Sequence, residues 1–151
     1  MVKNIHFLLV DDDDDDTFLF EDVLMDIDPS AHFNSATNGH EALKKLRSAN
    51  ILPDVIFLDL NMPGMDGKEC LAQLKKDSSL KHIPVIIYTT SSLSKDIELT
   101  MQIGAAGFIT KPDNMRELKS ILSSLVAGAK QNNLQKALQT LSFNSTTFIV
   151  C

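Results

Sequence analysis

Residues 5–20 read IHFLLVDDDDDDTFLF: a short apolar run, six consecutive aspartates, then a second apolar run. The first run has the length and apolar character of a buried strand. In the second, Leu19, Phe20, Val23, Leu24 and Ile27 recur at helical spacing. A strand passing through a charged turn into a helix starts an alternating β/α chain. Asp11 to Asp16 stand at the strand's carboxyl end, where like charges this close need a cation or must lie in solvent.

The alternation continues outward from that unit. Strand-like runs occupy 32–36 (HFNSA), 55–58 (VIFL), 84–88 (PVIIY) and 107–110 (GFIT). Between them lie stripes near a 3.6-residue period: Ala42, Leu43 and Leu46; Cys70, Leu71 and Leu74; Ile97, Met101 and Ile103; Leu118, Ile121, Leu122 and Leu125. Gly and Pro punctuate the joints, as at Asn38-Gly39, Pro63-Gly64, Gly104 and Pro112. Five strands alternating with five helices predict an α/β fold, a mostly parallel sheet covered on both faces. HFNSA is the least apolar run and is expected at an edge.

Composition limits the function classes. The chain has 151 residues, 44% of them hydrophobic, enough for one domain with a proper core. Its net charge is −6, a value the aspartate run alone supplies, so no broad basic surface is available to grip nucleic acid. No apolar run approaches the ~20 residues of a membrane span, and the first is too short for a signal segment. The expectation is a soluble, cytoplasmic protein. Cys70 and Cys151 make no disulfide framework; Cys70 reads as a small apolar helix residue, and Met62 and Met65 as packing. His6, His32, His40 and His82 have no metal-binding spacing.

In open α/β sheets, sites form beyond the carboxyl ends of the strands. Asp11 and Asp12 follow the first strand, Asp59 the third, Thr89 and Thr90 the fourth, and Lys111 the fifth. Three carboxylates, one ammonium and a hydroxyl in one crevice suit Mg²⁺ and the handling of a phosphoryl group. Taken singly, Asp59 could be a turn residue, Lys111 a surface lysine, Thr89 a strand end and Phe108 a core aromatic.

Four segments tip that balance: FLLVDD (7–12), VIFLDLNMPGMDG (55–67), IPVIIYTTSS (83–92) and GAAGFITKP (104–112). In order and spacing they resemble the response-regulator receiver domains of two-component signalling, across residues 3–127. The resemblance implies a flavodoxin-like, doubly wound five-stranded parallel sheet of order 2-1-3-4-5 with five flanking helices. It implies that Asp59 accepts a phosphoryl group from a phosphohistidine of a sensor histidine kinase or histidine phosphotransfer protein. Asp11, Asp12, Asp59 and the backbone carbonyl of Asn61 would hold Mg²⁺. Lys111 would pair with the carboxylate and then the phosphoryl oxygens, Thr89 would bond a phosphoryl oxygen, and Phe108 would change position with it. A cis Lys111–Pro112 bond would aim Lys111 at Asp59. Such a protein is a phosphoacceptor that switches contacts with a downstream protein target, with no catalysis beyond its own phosphotransfer and dephosphorylation.

Of the remaining aspartates, Asp14 or Asp15 is expected to cap the first helix, the others being solvated. Asp13 and Asp15, with Thr17, also match the DxDxT nucleophile motif of haloacid-dehalogenase-type phosphatases, although Asp13 lies two residues beyond the strand. A calcium loop starting at Asp11 would need glycine where Asp16 stands. A non-phosphorylated docking module is the third alternative. The domain is expected to span 1–128, Gly128 ending or loosening the fifth helix, and 129–151 to form a short helix and strand. The short tail suggests a stand-alone receiver. Leu134, Leu138 and Leu141 would dock the helix, and Phe143 and Phe148 would anchor the strand. That strand would pack on its own domain or a neighbour, adding to the 32–36 edge, with a homodimer as the favoured assembly.

Overall fold

Three strands are buried along nearly their whole length because helices cover both of their faces. In the computed structural model these are β1 (His6–Val10), β3 (Val55–Leu58) and β4 (Val85–Thr89), and only His6 among their residues is partly exposed. The structure describes residues 4–144 and 148–150, with side chains through Leu141. The other elements are α1 (Asp14–Ile27), β2 (His32–Ala36), α2 (Gly39–Ser48), α3 (Gly67–Lys76), α4 (Ser94–Ile103), β5 (Gly107–Thr110), α5 (Met115–Lys130), α6 (Leu134–Asn144) and β6 (Phe148–Val150).

The sheet runs β2-β1-β3-β4-β5-β6, parallel from β2 to β5. The expected 2-1-3-4-5 order is therefore present, with a sixth helix and a sixth strand added. β2 is an edge, and its alternation of exposed and covered residues explains why HFNSA carries so few apolar side chains.

The two-residue period of the strands splits the core. Phe7, Leu9, Phe57, Ile86, Tyr88 and Ile109 face α1 and α5, where Phe20 meets Phe57 at 4.9 Å and Tyr88 at 5.6 Å between ring centres. Leu8, Val10, Ile56, Leu58, Val85, Ile87 and Phe108 face the other way, onto α2, α3 and α4. Cys70 lies fully buried in that second cluster, where burial pushes its thiol up to about 12, so it behaves as an apolar residue. Met62 and Met65 pack in the same cluster.

Two expectations about the C-terminal region are corrected. Gly128 lies inside α5, which continues to Lys130. Its role is close approach: a Cβ there would meet the Ala137 Cβ at 2.6 Å, so glycine lets α6 lie against α5. Leu138 and Leu141 then join the core cluster under α1 and α5. The final strand pairs antiparallel with β5, Phe108 opposite Ile149, and not with β2. β2 is four strand spacings away, roughly 19 Å, while α5 and α6 leave the chain beside β5. Residues 145–147 and the Phe143 and Phe148 side chains lie outside what the structure describes.

Asp28 joins the end of α1 to the end of α5. Its backbone N–H caps α1, its Oδ1 accepts from the Ser30 amide (3.1 Å) and hydroxyl (2.6 Å), and Lys130 Nζ lies 3.0 Å from Oδ2. Burial acts to raise the pKa of this carboxyl, but the Ser30 hydrogen bonds and Lys130 outweigh it and hold the group below its ordinary value. A depressed folded-state pKa contributes stability above the unfolded value, and that contribution is lost as pH falls through the folded value. Asp28→Ala is expected to cost about 1–3 kcal/mol at neutral pH. The gap from wild type should narrow once the pH drops below about 4, measured by urea denaturation across pH.

Candidate functional site

The sheet ladder itself sets out the site. The Asp59 amide donates to the Val10 carbonyl (2.9 Å), the Asp11 amide to Ala36 (2.9 Å), and the Lys111 amide to Thr89 (2.7 Å). Each of these groups is thus the next rung beyond a strand, and their side chains leave one edge of the sheet together. Asp11 is 1% exposed and Asp59 5%, while Asp12 is open to solvent. Carboxylate oxygens of Asp11, Asp12 and Asp59 all lie within 4.8 Å of one another.

Lys111 supplies the positive charge. Its ammonium lies 2.8 Å from Asp11 Oδ2, 2.7 Å from Asp16 Oδ2 and 3.6 Å from Asp59 Oδ2, with the Tyr88 ring centre 5.7 Å away. Burial alone would favour the neutral amine, but Asp11, Asp16 and Asp59 reverse that and raise its pKa well above the ordinary value. Burial pushes the Asp11 carboxyl up to about 6 against the opposing pull of Lys111 and the Asp13 amide. The Lys111–Asp11 contact is one of charge, leaving Asp11 Oδ2 buried without a directional hydrogen bond.

The lysine is aimed without the expected bond isomer. Every peptide bond among the described residues is trans, Lys111–Pro112 included, and β5 alone brings the side chain to the carboxylates.

The other predicted residues fall as follows. Thr89 is fully buried, and its Oγ1 lies 3.5 Å from Asn61 Nδ2. The Asn61 amide donates to Asp59 Oδ1 at 3.2 Å. Phe108 is 1% exposed and belongs to the core cluster on the face covered by α2, α3 and α4. Asp13, not Asp14 or Asp15, caps α1, accepting from the amides of Asp15 (3.0 Å) and Asp16 (3.1 Å). A carboxylate so engaged is poorly placed as the phosphatase nucleophile.

Asp16 was missed. Six identical residues carry no internal mark, and the cap position had to be known before Asp16 could be placed on the turn facing Lys111.

The chain belongs to the response regulator receiver domain family, whose sequence profile matches residues 7–123. It is 32% identical over 126 residues to the chemotaxis protein CheY-3 of Vibrio cholerae, covering 82% of this chain and 92% of that one. Against the "Probable transcriptional regulator ycf29" of Pyropia yezoensis it is 39% identical over 101 residues, 67% of this chain but only 45% of that protein. Among solved structures it resembles the phosphorylated cyanobacterial phytochrome response regulator RcpA, with a TM-score of 0.77 and 31% identity, covering 83% of this chain and 94% of that one. The Mn²⁺-bound form of response regulator Rcp1 gives a TM-score of 0.74 at 28% identity, covering 84% and 95%. The fold and site thus define a receiver domain of two-component signalling.

Gly67 keeps the acceptor loop tight. A Cβ there would fall 2.7 Å from the Leu60 Cα and inside contact distance of the Asp59 carbonyl oxygen. Both obstacles are backbone and cannot rotate away. Gly67→Ala is therefore expected to destabilise the fold by about 1–3 kcal/mol, measured by chemical denaturation.

Proposed function

We propose that Asp59 accepts a phosphoryl group from a phosphohistidine of a sensor histidine kinase or histidine phosphotransfer protein. The observation that carries this reading is the buried Asp59 carboxylate beside Asp11, Asp12 and the Lys111 ammonium. An Asp59 oxygen bonds to phosphorus as the bond from phosphorus to the donor imidazole nitrogen breaks. The electron pair leaves with that nitrogen, which takes up a proton, and the product is an acyl phosphate. The similarity to a phosphorylated regulator of the same fold supports the reading.

The residues fit a divalent cation. Three carboxylates meet within 4.8 Å, and one oxygen of Asp11 is buried without a directional hydrogen bond. Hard oxygen donors of this kind suit Mg²⁺, and the response regulator Rcp1, of similar fold, has a Mn²⁺-bound form. Asp11, Asp12, Asp59 and the Asn61 backbone carbonyl would hold it. Bound there, the ion would neutralise charge on the phosphoryl oxygens.

The chain's own groups do the rest. Lys111 pairs with the developing negative charge, and the Asn61 backbone amide, 3.2 Å from Asp59 Oδ1, helps orient the attacking carboxylate. Thr89, buried beside Asn61, donates its hydroxyl to a phosphoryl oxygen. Phe108 follows only if its packed surroundings give way. The consequence is a change in contacts with a downstream protein.

Incubation with a small phosphodonor and Mg²⁺ should add one phosphoryl group, located at Asp59 by mass spectrometry. Asp59→Asn or removal of divalent ions should abolish the label, and Asp13→Asn should leave it. Lys111→Ala should lower the initial rate by roughly tenfold or more. A label that survives Asp59→Asn and vanishes with Asp13→Asn would overturn the reading.

A further inference from the structure

The Lys111 ammonium is held from two sides. Asp11 and Asp59 approach it from the sheet, and Asp16 from the first turn of α1, ninety-five residues away in sequence. Asp16 makes the shortest of the three contacts, 2.7 Å, while Asp59 is beyond hydrogen-bond distance at 3.6 Å. Asp16 thus draws the ammonium toward α1, while Asp59 keeps an ion-pair contact without a hydrogen bond. Asp16 owes its position to the Asp13 cap, which fixes the first turn of α1 so that Asp16 faces Lys111 while Asp15 stays in solvent.

We propose that Asp16 is a positioning residue that holds the Lys111 ammonium away from the acceptor, so that phosphorylation of Asp59 must break or share the Lys111–Asp16 pair. This inference rests on Asp59 being the acceptor. A phosphoryl group turns the singly charged Asp59 carboxylate into a doubly charged acyl phosphate, which adds about one negative charge and three acceptor oxygens beside Lys111. Its oxygens then compete with Asp16 for the same donors, and the Asp16 carboxylate repels them. Asp16 therefore opposes charging of the site and keeps the unphosphorylated arrangement populated. The Asp16 side chain is 36% exposed and that of Lys111 10%, so solvent weakens the pair without abolishing it.

Charge alone would give a different pattern. Asp15 carries the same charge one residue away, and no hydrogen bond or ion pair in the structure links its side chain to Lys111. Removing either charge changes the net charge at the start of α1 by the same amount, but only removal of Asp16 releases the ammonium.

The test is the initial rate of acyl phosphate formation from acetyl phosphate at saturating Mg²⁺. It compares wild type with Asp16→Asn, Asp15→Asn and Asp16→Glu, and measures Asp16→Asn again in a Lys111→Ala background. Asp16→Asn should accelerate labelling of Asp59 by roughly threefold or more, the scale of a partly exposed ion pair. Asp15→Asn should change it by less than twofold, and Asp16→Glu, which keeps the charge within reach, should stay near wild type. In the Lys111→Ala background the acceleration should disappear, because the partner through which Asp16 acts is gone. The inference is overturned if Asp15→Asn accelerates as much as Asp16→Asn. It is equally overturned if the effect persists without Lys111, or if Asp16→Asn labels Asp59 no faster than wild type. Absence of any label on wild-type Asp59 would instead defeat the acceptor reading, and this inference with it.

Discussion

Parallel strands cannot be joined by hairpins, and most of this molecule follows from that constraint. Each connection must cross back over the sheet, and here each crossing is a helix on one face or the other. The carboxyl ends of β1, β3, β4 and β5 then fall along one edge, and whatever follows them in sequence is gathered there. Asp11, Asp59 and Lys111 are neighbours because of the ladder bonds that carry their amides, although 100 residues separate the first from the last.

That edge concentrates a conflict of charge. Asp11, Asp16 and Asp59 surround one ammonium, and Asp12 adds a fourth carboxylate at the rim. Burial raises the cost of every unpaired charge there, which is why the Asp11 carboxyl is pushed up to about 6 while Lys111 is held firmly protonated. A site left short of positive charge in this way favours a divalent cation.

The C-terminal region completes the first face of the core rather than trailing from it. Gly128 permits the close crossing of α5 and α6, Leu138 and Leu141 fill the space beneath, and β6 covers the outer edge of β5. Asp28 and Lys130 fasten the same region to the end of α1. The edge of β5 is thus paired, while among the described residues no strand pairs with the far side of β2, where Lys45 donates to the Ser35 carbonyl.

Patterns local in the chain were legible from residues alone. The apolar runs of β1, β3 and β4, the half-polar β2, the helical stripes, and the polar residues ending each strand needed only periodicity and position. The strand order was available through resemblance to a family and not through alternation, because alternation does not say which strands are neighbours. Tertiary structure decided the rest. It selected Asp13 as the cap, brought Asp16 and not its identical neighbours to Lys111, kept the Lys111–Pro112 bond trans, and sent the last strand to β5 instead of β2. Each of those outcomes depends on distances between segments far apart in sequence. Six aspartates in a row are chemically equal until a helix axis and a distant lysine make them different.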